Sequence, residues 1–206
     1  MSQPGRGRLI AIEGVDGCGK STQATLLAGA LGAVCTFEPG ATELGRAVRS
    51  LLLDPARPAP TARAEALLMA ADRAQHVEEV VRPALERGDW VVTDRFSGST
   101  MAYQGWGRGL ATVPLRQLVE WAAGDVEPDL SVLVDVEPEL ARQRLGGSAP
   151  DRLEGQDPDF FGRVRRGYLD LAGAEPDRWV LVDGSGPVDQ VASEVAAAVR
   201  RRLGRP

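Results

Sequence analysis

The sequence predicts an α/β fold, a five-stranded parallel sheet with helices on both faces. Short apolar runs alternate with stretches of helical spacing along the chain, the mark of repeated βαβ units. The first apolar run ends in a glycine-rich loop that opens directly into a helical pattern. Charged residues collect where the runs end, on the edge of a parallel sheet that binds ligands.

The candidate strands are 9–13, 33–37, 90–94, 130–136 and 179–183, each a short apolar run of the kind buried on both faces. Helical patterns lie near 20–31, 43–53, 62–87, 113–123, 138–145, 158–173 and 188–203. Pro83 should bend or interrupt the helix near 62–87, because it lacks the N–H the helix needs. The segment Pro55-Ala56-Arg57-Pro58-Ala59-Pro60 reads as a loop, with Thr61 the N-cap of the helix near 62–87. No repeat, heptad or linker divides the chain, so residues 1–206 read as one domain.

Composition excludes several classes. A formal charge of −5 gives no electrostatic basis for a nucleic-acid or membrane partner. Arg200-Arg201-Arg202 reads as the solvated end of a helix, where positive charge is favoured. No apolar run approaches the roughly 20 residues of a membrane span, and the first eight residues lack the apolar core of a signal peptide. Cys18 and Cys35 read as free thiols of a reducing cytoplasm, without the Cys/His surroundings of a zinc site.

Lys20 is the only lysine; the other 23 basic side chains are arginine. It stands in Gly14-Val15-Asp16-Gly17-Cys18-Gly19-Lys20-Ser21, followed by Thr22, which fits the P-loop pattern. Backbone N–H groups of such a loop surround phosphates, Lys20 reaches the β- and γ-phosphates, and Ser21 holds Mg²⁺. The expected cofactors are therefore ATP and Mg²⁺. Asp94 closes the third apolar run and resembles the acid that helps hold the metal. Arginines follow the strand ends: Arg49 beyond the 38–42 loop, Arg73 on the long helix, and Arg95 beside Asp94. The single histidine, His76, reads as a solvated helical residue, and no Ser/His/Asp set is visible. A phosphate acceptor is already ionised near neutrality, its second pKa being about 6, so it needs no general base. This scarcity of bases points to a nucleotide kinase.

Taken together, the motifs resemble the thymidylate kinase family. Beyond the P-loop, the blocks are Glu38-Pro39-Gly40-Ala41-Thr42, Ala70-Ala71-Asp72-Arg73-Ala74-Gln75-His76, Asp94-Arg95-Phe96 with Ser99 to Gly105, and Asp151-Arg152-Leu153-Glu154. The resemblance implies the nucleoside monophosphate kinase architecture with a lid, here about 142–154, and a homodimer. It implies transfer from ATP to dTMP. Arg95 would clamp the dTMP phosphate, with Glu38 and Arg49 shaping that end of the site. Arg73, Ser99 and Gln104 would read the base, Met69 would lie against it, and Tyr103 would pack under the sugar. Asp16 would approach the acceptor. Lys20, Arg95, Asp16 and Arg152 would carry the catalysis, with Arg144 on the nucleotide side and Arg142 a further lid candidate. Three positions depart from the family's usual residues. Met69 stands for a stacking Phe, Ala41 for a glycine, and Phe37 for an arginine common in bacterial members. They predict weaker base discrimination, not a different reaction. Two alternatives stay open on sequence: a kinase for another deoxynucleotide or for a deoxynucleoside, with Glu13 or Glu38 as base, and a nucleotide-binding regulator without turnover.

Overall fold

The computed structural model describes residues 5–146 and 151–204. Five strands form one sheet: β1 (Leu9–Glu13), β2 (Val34–Phe37), β3 (Val91–Asp94), β4 (Leu130–Asp135) and β5 (Trp179–Asp183). Their order is β2-β3-β1-β4-β5, and every pairing is parallel. The register places Ile12 beside Asp94 and Glu13 beside Leu133, so the ends of the central strands share one edge.

The three central strands are buried on both faces, as the unbroken apolar runs predict. The edge strands β2 and β5 instead leave Phe37 and Leu181 exposed, because no strand or helix among the described residues covers them there. Ile10, Ile12 and Val92 join Ala24 and Leu27 of α1 (Lys20–Leu31) in one core. Leu9, Ala11 and Val91, one residue out of phase, join Val77, Val81 and Leu85 in a second. Each buried Leu, Ile or Val among them contributes about 1.5–3 kcal/mol by leaving water.

The remaining helices come in order. α2 (Glu43–Leu53) starts at Thr42, whose hydroxyl accepts the Gly45 N–H. α3 (Ala62–His76) starts at Thr61, which accepts the Ala64 N–H, as the sequence predicts. A π-helical turn, Val77–Val81, then leads into α4 (Arg82–Glu86). Pro83 therefore interrupts the long helix as expected. It sits at the start of the restarted α-helix, where its missing N–H is harmless.

The stretch 97–107 departs from expectation. No helix is legible there, yet α5 (Ser97–Thr100) runs into a second π segment, Met101–Gly107. Ser-Gly-Ser-Thr and Gln-Gly-Trp-Gly are poor helix formers, and packing overrides that weak preference. Then come α6 (Thr112–Ala123), α7 (Pro138–Leu145), α8 (Pro158–Ala174) and α9 (Val188–Leu203). The expected lid, 142–154, includes residues 147–150, which lie outside the described residues, as do 1–4 and 205–206.

Candidate active site

A cavity of about 570 Å³ opens where the strands end. The β1–α1 loop forms one wall. Gly17 takes φ 84°, and a Cβ there would lie 2.1 Å from the carbonyl oxygen of Ala141, so only glycine fits. Gly14, Val15, Cys18 and Gly19 shape the loop, while Asp16, Gly17, Lys20 and Ser21 line the cavity. Thr22 is exposed on the first turn of α1.

Asp16 joins the two principal cations of the site. Its carboxylate accepts from Lys20 Nζ at 3.1 Å, from the Tyr103 hydroxyl at 2.7 Å, and from Arg95 Nη2. Burial alone would raise its pKa, but the Arg95 and Lys20 charges outweigh this and hold it well below the usual carboxylate range. Burial likewise disfavours the Arg95 cation, and Asp16 more than restores it.

Arg95 is also unusual in its backbone. It is the one described non-glycine residue with positive φ, at 74°. That region is costly for an L residue and is held by its surroundings. The Arg95 N–H donates to Ile12 O at 3.0 Å, and its guanidinium donates to Ser99 Oγ at 3.0 Å and lies 4.8 Å from the Tyr103 ring centre. Behind it, Glu13 is fully buried. It accepts from the N–H groups of Phe96 and Ser99, from Ser99 Oγ, and from the Tyr168 hydroxyl. Burial pushes the Glu13 carboxyl up. Glu13 does not line the cavity and has no free lone pair turned toward a substrate, which removes one of the two bases a nucleoside kinase would use.

Glu38 is the other, and it is equally engaged. One oxygen accepts from Arg73 Nε at 3.0 Å, the other from His76 Nδ1 at 2.8 Å. Here the structure corrects the sequence reading of His76. It is 0% exposed, with Nε2 2.7 Å from the Thr36 hydroxyl, and it braces Glu38 instead of facing solvent. Its partners lie 38 and 40 residues away, so no local pattern could have shown them.

Every acceptor-site residue named from the sequence lines the cavity: Glu38, Arg49, Met69, Arg73, Arg95, Ser99, Tyr103 and Gln104. Arg49 Nη1 donates to Pro39 O at 2.9 Å. Arg73 donates through Nε and Nη2 to Glu38 and Phe96 O, and its buried Nη1 has no partner among the described residues. Of the three departures, Met69 and Phe37 line the cavity and Ala41 does not. Ala41 has no positive φ, so its methyl group adds no backbone strain.

The metal-side residues also meet. Ser21 Oγ donates to Asp94 Oδ2, and Asp94 Oδ1 is buried without a partner among the described residues. A hydroxyl and an unsatisfied carboxylate oxygen beside a phosphate loop are oxygen donors of the kind Mg²⁺ takes.

The lid arginines lie away from the cavity. Arg152, expected to reach the phosphates when the lid closes, does not line the cavity. Its guanidinium donates to the carbonyl oxygens of Leu51, Leu52, Asp54 and Arg57, at the C-terminal end of α2. Free carbonyls and the negative end of the helix dipole attract a cation there. Arg144 donates to Gly184 O at 2.8 Å and Ser185 O at 2.9 Å, fixing the turn after β5. Arg142 is exposed and pairs with Glu139.

Sequence reasoning assigned no role to a further pair. Glu65 accepts from both Gln104 and Arg108 beside the cavity. Neither Glu65 nor Arg108 stands in a motif block or at a strand end, so the sequence carries no signal for them.

Comparison with known proteins matches this geometry. The family model described as thymidylate kinase matches residues 12–195. A thymidylate kinase of Synechococcus sp. is 46% identical over 209 residues, covering 96% of this chain and 98% of that one. One from Clavibacter michiganensis is 49% identical over 203 residues, covering 95% and 94%. The crystal structure of thymidylate kinase from Ehrlichia chaffeensis superposes with a TM-score of 0.79 at 30% identity, covering 94% of this chain and 99% of that one. The phosphate loop, the clamped Arg95 and the matched length agree, and the chain belongs to the thymidylate kinase family.

Proposed function

We infer that this chain transfers the γ-phosphoryl group of ATP to dTMP, giving ADP and dTDP. The observation that carries this is Asp16, which holds the donor-side Lys20 and the acceptor-side Arg95 on one carboxylate inside one cavity. Two anions must approach each other for phosphoryl transfer, and fixed cations between them supply most of the catalysis. Arg95 clamps the acceptor phosphate as a planar fork. Lys20, a compact charge on a flexible stem, follows the transferring group. Ser21 and Asp94 would hold Mg²⁺, which neutralises charge on the β- and γ-phosphates when bound.

The acceptor oxygen is an ionised phosphate and needs no base. That fits a site in which the two candidate bases, Glu13 and Glu38, are committed to other partners. Arg73 and Gln104 read the base, Met69 lies against it, and Tyr103 packs under the sugar. Arg152 holds the lid against α2, and Arg144 steadies the turn on the nucleotide side. No helix among the described residues is long and apolar enough to cross a membrane. The enzyme works in the cytoplasm on a small-molecule acceptor, as a homodimer. Large apolar side chains left in solvent on α3 and α6 support the dimer, namely Leu67, Val113 and Trp121. A coupled ADP-release assay with dTMP, dUMP, dCMP, dGMP and thymidine tests the reading. Turnover should be fastest with dTMP and negligible with thymidine; equal turnover on thymidine would reject it.

A further inference from the structure

Two polar groups at the acceptor end of the cavity lack partners among the described residues, and they differ in kind. Arg73 Nη1 can only donate. Gln104 is fully buried, lines the cavity, and leaves Oε1 unpaired, so there it can only accept. A donor and an acceptor that both lack partners complement a ring edge carrying a carbonyl next to an N–H. The C4 oxygen and N3–H of thymine or uracil form such an edge. Cytosine inverts it, with an amino group next to a bare ring nitrogen.

An amide can turn over and exchange its two ends, so something must fix which end Gln104 shows. Gln104 Nε2 donates to Glu65 Oε1 at 2.9 Å. Glu65 is 3% exposed and sits in the first turn of α3. Arg108 donates to its two oxygens, from Nε at 3.1 Å and from Nη2 at 3.0 Å. Arg108 is itself held by Gln156 Oε1 at 2.7 Å and lies 4.9 Å from the Phe160 ring centre. A carboxylate paired with a guanidinium offers only acceptors. It therefore compels the Gln104 NH₂ to face backward and the carbonyl to face the base.

We propose that Glu65, locked by Arg108, is the positioning residue that selects keto over amino pyrimidines, by fixing the orientation of the Gln104 amide. The proposal rests on the reading of the cavity as a dTMP site. It assigns specificity to two residues that do not touch the substrate. A base of the wrong polarity leaves buried groups unpaired, which is worth on the order of 100-fold or more in discrimination. Glu65→Gln changes the partner with little change of shape. The new amide can keep its carbonyl on Arg108 Nη2 and, giving up the Arg108 Nε bond, turn its NH₂ toward Gln104, which then turns over.

The test compares dTMP with 5-methyl-dCMP, which differ only along this edge. In the wild type, kcat/KM should favour dTMP by about 100-fold or more. In Glu65→Gln that ratio should fall at least tenfold, chiefly through a lower KM for 5-methyl-dCMP. Arg108→Gln, altered nearer the surface, should move the ratio in the same direction and carries the test if Glu65→Gln does not fold. A ratio unchanged within twofold in a folded variant overturns the proposal. So does a parallel loss on both nucleotides, or failure of both variants to fold, since either makes the pair a support of the fold alone. A wild type without dTMP-dependent ADP release would reject the substrate reading instead, so the two failures are distinguishable.

Discussion

Asp72→Asn should stabilise the protein at pH 8 and leave its stability unchanged near pH 4. Asp72 is 1% exposed, and one oxygen accepts the Gly40 N–H at 2.9 Å while the other has no partner among the described residues. Burial, and after it the nearby Glu38 charge, raise its pKa from 3.8 to about 6 against the opposing pull of the Gly40 N–H, His76 and Arg73. Between those values the folded protein binds more protons than the unfolded chain, so stability falls as pH rises. The favourable contribution is complete below the unfolded value of 3.8 and gone once pH passes about 6. At about 1.4 kcal/mol per tenfold change in acidity, the cost of holding Asp72 ionised is on the order of 2–3 kcal/mol. Asparagine keeps the acceptor for Gly40 and removes the charge. Urea unfolding, followed by tryptophan fluorescence at several pH values, should show a variant advantage of that size at pH 8, shrinking through pH 6. In a thermal scan this is roughly 5–10 °C. An equal difference at pH 4.5 and pH 8 would refute the buried charge as its source.

Lys20→Arg should lower kcat by several orders of magnitude while the fold persists, because a planar fork cannot follow the phosphoryl group as a point charge does; near-normal turnover would count against the proposed chemistry. Met69→Phe should raise the dTMP-to-dUMP ratio of kcat/KM severalfold, since an aromatic face adds stacking on the base; an unaffected ratio would show that residue 69 does not contact it. Arg152→Ala should raise KM for both nucleotides and speed proteolysis around 151–157, because it releases the lid from α2. A fall confined to kcat would instead return Arg152 to the transition state.

How much of this was legible in the sequence depends on the distance over which each feature is determined. Strands β1 and β5 match their expected limits, and the other three differ by a residue at one end. Their signal is the apolar run itself, which neighbours in sequence settle. The cavity lining was legible because parallel strands bring their ends to one edge whatever the loops do. The failures concern side chains whose partners lie far along the chain. His76 reads as a solvated residue until Glu38 and Thr36 arrive from 38 and 40 residues away. Arg152 finds the α2 carbonyls of Leu51 and Leu52 101 and 100 residues upstream. The helix at 97–107 is missed for a related reason. Its glycines disfavour it locally, and contact with α8, α6 and the Glu13 carboxylate holds it.

That last segment explains why the site tolerates its own strain. A π-helical turn aims consecutive side chains differently from an α-helix and recurs at functional sites. Within Met101–Gly107 it brings Tyr103 to Asp16 and Arg95, and the next residue, Gln104, to Glu65. Tyr103 and Gln104 thus line one cavity from adjacent positions while bonding to different partners. The positive φ of Arg95 works toward the same end, turning the chain sharply after β3 so that its guanidinium folds back over Asp16. Of the two irregularities, the positive φ of Arg95 carries a backbone cost, on the order of 1–3 kcal/mol. Each is held by buried hydrogen bonds, to Ile12 and Ser99 for Arg95 and to Glu65 for Gln104. Arg95→Gly relaxes the backbone but leaves the Asp16 carboxylate with Lys20 as its one cation, so it should remove activity and also lower stability in urea unfolding; a variant as stable as the wild type would refute the Arg95–Asp16 pair as a support of the fold.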